Sequence, residues 1–311
     1  MRVFAGLGAV TRPPRRAVAT VGVFDGVHVG HQQLIRSTIR LARRLGGTSV
    51  VITFDPDPET VLHPGAAAAA LMPLAARLSA LSTLGADWVW VLPFSKRFAR
   101  MGAEQFIRDF LIRRLRTHTL IVGDAFAFGR GRRGNMEILQ RLGPALGMRV
   151  IPVKPITRAG RPVSSSRIRT CVRQGDLRQA KRLLGRAPGL YGTVVRGAGR
   201  GRRLGCPTAN LRLIPQVMPP RGVYAVIVEA ASRRWRGVMN LGVRPTFGRG
   251  PLTCEVHLFD FSGSLLGRSV TVALVARLRG ERRFATPEAL NRQVRRDILK
   301  ARPLLARQSL S

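Results

Sequence analysis

The chain has 311 residues, of which 45% are hydrophobic; that length suits two domains, and the composition excludes a disordered chain. No apolar run reaches the roughly 18 residues of a membrane span. No secretory signal is legible in MRVFAGLGAVTRPPRR, and Cys171, Cys206 and Cys254 lack metal or disulfide spacing, so a reducing, cytoplasmic compartment is expected. The formal charge of +37 attracts polyanions and phosphorylated small molecules, but it does not mark a specific nucleic-acid binder: Lys is confined to Lys96, Lys154, Lys181 and Lys300, the arginines are spread along the chain, and aromatics are 6%.

Val18 to Phe24 is an apolar run that predicts a buried strand. Gln32 to Leu45 places Leu34, Ile35, Ile39, Leu41, Ala42 and Leu45 on one helical face. Between them, TVGVFDGVHVGH (Thr20 to His31) turns through Gly26 and Gly30 and presents His28 and His31. A helix N-terminus offers unpaired N–H groups and a positive dipole end to phosphate. Gly30 lets the backbone approach a ligand closely. One histidine there reads as an ordinary surface or capping group; two around a glycine, after F-D-G, point to anion binding. No cysteine or carboxylate cluster nearby completes a zinc set.

Thr48 to Phe54 predicts the next strand, ending in D-P-D-P, where proline forces an extended loop. Further strands are expected at Asp87 to Pro93, Thr119 to Gly123 and Met148 to Val153, and helices at Leu74 to Leu84, Ala103 to Leu115 and Asn135 to Leu146. The alanine tract Gly65 to Leu71 reads as helix or surface loop. This alternation predicts a parallel sheet with helices on both sides and ligands beyond the carboxyl ends of the strands. Those ends are His28/His31, Phe54/Asp55, Phe94, Gly123/Asp124 and the segment after Val153. GDAFAFGRGRRGN (Gly123 to Asn135) adds an acid, two phenylalanines and a Gly/Arg loop after a strand. VSSSRIR (Val163 to Arg169) puts three hydroxyls and two arginines at a helix start; capping explains one serine, and the rest suits a phosphate clamp. Arg167 and Arg169 are two positions apart and do not share a helical face, so Arg167 is preferred.

After a short helix, Leu177 to Leu184, the pattern changes to β-type runs at Leu190 to Val195, Gly222 to Glu229, Trp235 to Leu241, Cys254 to Phe261 and Ser269 to Leu278. They predict a small antiparallel barrel, followed by a helix from Pro287 to Ala301 capped by Thr286. RGAGRGRRLGCPTAN (Arg196 to Asn210) is a Gly/Arg loop of the kind that covers phosphates, but it is not a P-loop. Thr208 and Asn210 lie on one side of an extended segment and offer hard oxygens suited to Mg²⁺ beside ATP. Glu255 shares a face with His257; in a barrel mouth it would accept a proton from a substrate hydroxyl, and elsewhere it would be a surface ion-pair partner among many arginines.

In order along nearly the whole chain, GVFDGVHVGH, TFDPDP, VGDAFAFGRGRRGN, SSSRIR, GRGRRLGCPTAN, RGVYA, NLGVRPTF and EVHLFDF resemble the bacterial bifunctional riboflavin kinase / FAD synthetase family. The resemblance implies a Rossmann-like nucleotidyltransferase domain over residues 1–186 and a riboflavin-kinase barrel with a C-terminal helix over 187–311. It implies that riboflavin is phosphorylated by ATP to FMN, and that FMN is adenylylated by a second ATP to FAD, with Mg²⁺ as cofactor and a capacity to form homo-oligomers. By the same resemblance, Gly22, Phe24, His28, Gly30, His31, Ser164, Ser165 and Arg167 would contact ATP and its phosphates in the first domain. Phe54, Asp124 and Phe128 would line the flavin. In the second domain Gly199, Gly201, Thr208 and Asn210 would hold ATP, with Thr208 and Asn210 on Mg²⁺, and Glu255 would be the base. Val23, Asp57, Ala125, Cys206 and Leu265 stand where the family usually has other residues. Asp57, usually His, would place negative charge where a phosphorylated substrate arrives. Two rival readings are a working kinase beside a decayed first domain, and a basic nucleic-acid-binding protein on the same scaffold.

Overall fold

A computed structural model describes residues 1–197, 206–243 and 252–308. The backbone divides into two compact units, 1–68 with 73–165, and 69–72 with 166–311.

The first unit is built on β1 (Arg2–Ala5), β2 (Ala17–Val21), β3 (Ser49–Asp55), β4 (Trp88–Pro93), β5 (Thr117–Gly123) and β6 (Arg149–Val153), in the order β1-β4-β3-β2-β5-β6. Every pairing in it is parallel. β2 and β3 are near-continuous apolar runs because both of their faces are covered. Trp90, Ile52, Leu92 and Leu120 are fully enclosed, with Phe98, Phe106 and Phe110 packed around them. Enclosing a side chain of that size contributes roughly 1.5–3 kcal/mol. β1, absent from the sequence expectation, is a mostly exposed edge strand with no two-sided apolar signal.

The helices of this unit are α1 (Val29–Arg44), α2 (Pro58–Leu62), α3 (Leu74–Thr83), α4 (Lys96–Ala99), α5 (Ala103–Phe106) and α6 (Met136–Ala145). α1 starts three residues earlier than expected, because His28 caps it. The helix expected over 103–115 is α5 continued by wider π turns over Ile107–Arg114, which keep Ile107, Phe110 and Leu111 buried. A two-residue hairpin, β7 (Thr157–Arg158) and β8 (Arg161–Pro162), precedes α7 (Ser165–Gln174) and α8 (Leu177–Leu184). By compactness the division falls between Ser165 and Ser166, so nearly all of α7 and the whole of α8 count with the second unit. The alanine tract forms no long helix; the Ala69 and Ala70 carbonyls accept from Arg169 Nε and Val217 N–H, both at 2.9 Å.

The second unit is a closed antiparallel barrel of β9 (Gly189–Val195), β10 (Ala209–Leu213), β11 (Gly222–Ala230), β12 (Arg233–Val243), β13 (Leu252–Leu258) and β14 (Ser269–Arg279). Its interior is filled by Leu190, Tyr224, Val226, Met239, Cys254, Val256 and Leu274 among others. α9 (Pro287–Ala306) lies on the outer surface, where Ala301 and Leu305 pack on Ala225, Val238 and Phe259. It runs five residues past its expected end, through Pro303, because Leu305 is fully buried there.

Candidate active sites

In the first unit the chain leaves β2 and turns left-handed at Phe24, φ 55°, before α1 begins. Gly22 makes room for the Phe24 ring, since a Cβ there would press on it at 3.0 Å. His28 is the N-cap of α1: its Nδ1 accepts from the His31 N–H at 3.3 Å. That bond puts the His28 ring proton on Nε2 and leaves it a neutral donor. The His28 and His31 rings stack at 3.6 Å between centroids, and Phe24 stands edge-on to His31 at 5.2 Å. Phe24 is fully buried, so only its backbone is available to a nucleotide. A side chain on Gly30 would press on the His28 ring at 3.2 Å.

Burial, then the neighbouring His28 and Arg77, holds the His31 pKa well below the usual histidine value. His31 Nδ1 is buried with no hydrogen-bond partner. An orphaned polar atom at a helix N-terminus fits a site that receives a polar ligand. Ser165 opens α7 and donates to the Asp25 carbonyl at 2.9 Å, tying Ser164 and Ser165 to the same turn. Arg169 is buried on the Ala69 carbonyl, whereas Arg167 is half-buried.

Phe54, at the end of β3, meets Phe94 edge-on at 5.8 Å. Phe128 stacks on Phe126 at 5.2 Å and lies 5.7 Å from Phe106. All four of Phe54, Phe94, Phe126 and Phe128 are partly exposed, which makes an aromatic surface suited to a flat ring. Asp124 is exposed just past β5. The Gly/Arg loop is pinned rather than loose: Phe128 pairs with Gly134, and Arg130 N–H donates to the Met101 carbonyl at 2.8 Å. Asp57, expected to oppose a phosphorylated substrate, caps α2, its Oδ1 accepting from Glu59 N–H at 2.9 Å.

In the second unit Asn210 stands opposite Glu255, and Glu255 opposite Asn240, so three polar side chains form one row across β10, β13 and β12. Directly opposed residues have Cβ atoms roughly 4.5–5.5 Å apart. Cys254, Val256 and Leu258 fill the barrel, which turns Glu255 and His257 outward. The expectation that Glu255 projects into a barrel mouth is therefore corrected: the interior is filled by Cys254, Val256 and Leu258, and Glu255 lies on the outer wall. Thr208 enters β10 two residues before Asn210, and His257 Nδ1 donates to the Pro207 carbonyl at 2.9 Å, holding this entry against β13. Gly197 seats the Asn210 carboxamide, because a Cβ built there would fall on it. Gly199, Gly201 and the later part of NLGVRPTF lie outside the described residues.

Among the described residues no three His, Cys, Asp or Glu side chains gather as a metal cage. Mg²⁺ binds through one or two protein oxygens plus nucleotide phosphates and water, and the side-chain oxygens of Thr208 and Asn210 are of the kind that fit that mode. Two contributors were not singled out from sequence. Asn240 sits inside a recognised motif, but only strand register shows it beside Glu255. Arg77 lies on α3 among alanines and leucines, where a single arginine reads as a solvated charge.

Among the described residues no helix is long and apolar enough to cross a membrane. Similarity to known proteins spans both units. The FAD synthetase family model matches residues 10–167, and the riboflavin kinase family model matches 184–305. A bifunctional riboflavin kinase/FMN adenylyltransferase of Pseudomonas fluorescens is 39% identical over 98% of this chain and 98% of its own. The protein of that name from Escherichia coli K12 is 36% identical over 97% of each chain. A solved structure from Streptococcus pneumoniae, titled a macrolide-efflux protein, is 29% identical and superposes with a TM-score of 0.84 over 97% of this chain and 99% of its own. Two family models in this order, with relatives of this identity aligned from end to end, establish that the chain belongs to the bifunctional riboflavin kinase/FMN adenylyltransferase family.

Proposed function

We propose that this chain makes FMN on its barrel and FAD on its parallel-sheet unit, in the cytoplasm, with both sites working. In the first reaction the 5′-hydroxyl oxygen of riboflavin attacks the γ-phosphorus of ATP. Glu255 takes the hydroxyl proton, the bond to the β–γ bridging oxygen breaks, and ADP leaves. Thr208 and Asn210 would hold Mg²⁺, which supplies charge neutralisation on the phosphates when bound. Asn240, on the far side of Glu255, orients the carboxylate or the ribityl chain. Gly199 and Gly201 belong to the loop expected over the nucleotide.

In the second reaction an FMN phosphate oxygen attacks the α-phosphorus of ATP. The bond to the α–β bridging oxygen breaks, and pyrophosphate leaves. The nucleophile is already anionic, so no base is needed, and catalysis rests on position and electrostatics. His28, neutral with its proton on Nε2, donates to a phosphate oxygen. His31, Gly22, Gly30 and the Phe24 backbone shape the same turn, and Ser164 and Ser165, at the entry to α7, hold the phosphates. Phe54 and Phe128 flank the isoalloxazine ring, with Asp124 at its polar edge.

The observation that carries this reading is the stacked pair His28/His31 at the N-terminus of α1, beyond the carboxyl end of β2. It supports a working first unit despite Asp57 and Ala125. The test is a chromatographic time course of the purified protein with riboflavin, ATP and Mg²⁺. FMN that appears and then turns into FAD is the expected result. FMN that accumulates without FAD would leave only the kinase, and neither product would defeat both assignments.

A further inference from the structure

Only two arginines are buried among the described residues, Arg77 and Arg169. Arg77 comes from α3, and its Nη1 lies 2.9 Å from the Val23 carbonyl, 3.0 Å from Thr53 Oγ1 and 2.9 Å from the Phe54 carbonyl. Thr53 Oγ1 also donates to the Val23 carbonyl at 3.0 Å. Arg77 Nε is buried without a partner. The two backbone acceptors belong to different strand ends. Val23 leads into the left-handed turn at Phe24 and on to His28 and His31, and Phe54 carries the ring assigned to the flavin wall. One nitrogen thus joins the nucleotide side of the site to its flavin side.

The charge around this nitrogen points the same way. Burial lowers the Arg77 pKa, and the nearby carboxylates of Asp25, Asp55 and Asp57 act against that lowering. Three acids near a site that must receive FMN and ATP would repel both. The guanidinium stays charged at any working pH and stands among them.

We propose that Arg77 is a positioning residue for adenylyl transfer, fixing the distance between the His28/His31 turn and the Phe54 strand end while balancing Asp25, Asp55 and Asp57. It acts through the Val23 and Phe54 backbone, not by touching substrate. The inference rests on the assignment of FMN adenylylation to the first unit.

The geometry makes a discriminating prediction. A guanidinium nitrogen has two hydrogens for the three oxygens around it, whereas a lysine ammonium has three. Lysine is one bond shorter but keeps the charge and can meet all three acceptors; methionine fills similar space and meets none. Arg77→Lys and Arg77→Met are compared in the full chain, with kcat and KM measured for FMN and ATP in FAD formation. Riboflavin phosphorylation in the same preparations reports on the second unit, and thermal melts report on folding. The expected result is a fall of about 10²-fold in adenylylation kcat for Arg77→Met, the scale of a small misplacement of reacting groups. KM for ATP changes much less, kinase turnover is unaltered, and Arg77→Lys recovers most of the lost kcat. A folded Arg77→Met with wild-type kcat, or a folded Arg77→Lys no better than Arg77→Met, overturns the proposal. Should Arg77→Met fail to fold, Thr53→Val is measured in its place. It has the same shape without the hydroxyl; a several-fold loss of adenylylation kcat supports the tie, and an unchanged kcat overturns it. A wild-type protein that makes no FAD from FMN would instead overturn the assignment of the first unit, and this inference with it.

Discussion

Burial keeps a positive charge off His31, and the neighbouring His28, its ring stacked at 3.6 Å, and Arg77 add to that opposition. His31 is therefore held neutral in the folded protein, while in the unfolded chain it titrates near 6.5. Below that value the unfolded state binds a proton that the folded state refuses, so stability falls as pH drops. His31→Gln removes the penalty. Between pH 7.5 and pH 5.5, wild type should lose on the order of 1 kcal/mol more stability than His31→Gln. Urea denaturation of both proteins at the two pH values measures it, and equal losses would mean that His31 is free to protonate in the fold. The histidines were legible in the sequence because H-x-G-H at a strand-to-helix junction is rare without a purpose. Their relation was not: that His28 caps the helix through the His31 N–H depends on a χ angle. Asp57 shows the converse. Its charge was legible, but not its use as the cap of α2 or its proximity to Arg77.

The helix α9 shows how an element beyond the barrel is fixed to it. Arg279 of β14 meets Asp297 of α9 at 2.9 Å, with side chains only 16% and 3% exposed, and Gln293 donates to the same carboxylate at 2.9 Å. Arg302 and Asp260 make a second pair at 3.4 Å, but at 52% and 79% exposure. Removing one member of an enclosed pair strands the other charge and costs about 3 kcal/mol, whereas an exposed pair contributes under about 1 kcal/mol. Asp297→Ala should thus lower the melting temperature of the barrel by roughly 10 °C, and Asp260→Ala by no more than a few degrees. Equal shifts in calorimetry would show that α9 is held by Ala301 and Leu305 alone. Elements of this kind were legible wherever one face is apolar: the buried strands, α1 and five of the six barrel strands follow from period, whereas the short β10 reads only as an extended segment. β1 was not, because an exposed edge strand has no apolar face to declare. The position of the kinase site was only half legible. Alternation puts Glu255 and His257 on one face of β13, but that this face is the outside follows only once the side chains of six strands have filled the barrel.

At the scale of the whole molecule, each reaction has its own residues, and no residue assigned to one is assigned to the other. Glu255→Gln should lose riboflavin phosphorylation by about 10²-fold or more while still converting added FMN to FAD, and His28→Ala should do the reverse. Given riboflavin and ATP, the first variant alone leaves riboflavin unchanged, and the second alone stops at FMN. The informative sample is their equimolar mixture. FMN made by His28→Ala must leave that chain and enter the first unit of a Glu255→Gln chain before any FAD can form. Among the described residues nothing in the geometry of either site requires FMN to stay on one chain: Phe54 and Phe128 are partly exposed, and Glu255 is half-buried on the outer wall of the barrel. The mixture should therefore make FAD after a lag that shortens as protein concentration rises. The control is Glu255→Gln with added FMN. If that control makes FAD and the mixture does not, FMN is passed within a chain. If the control itself makes no FAD, then Glu255 serves both reactions, and the separation of the two sites falls.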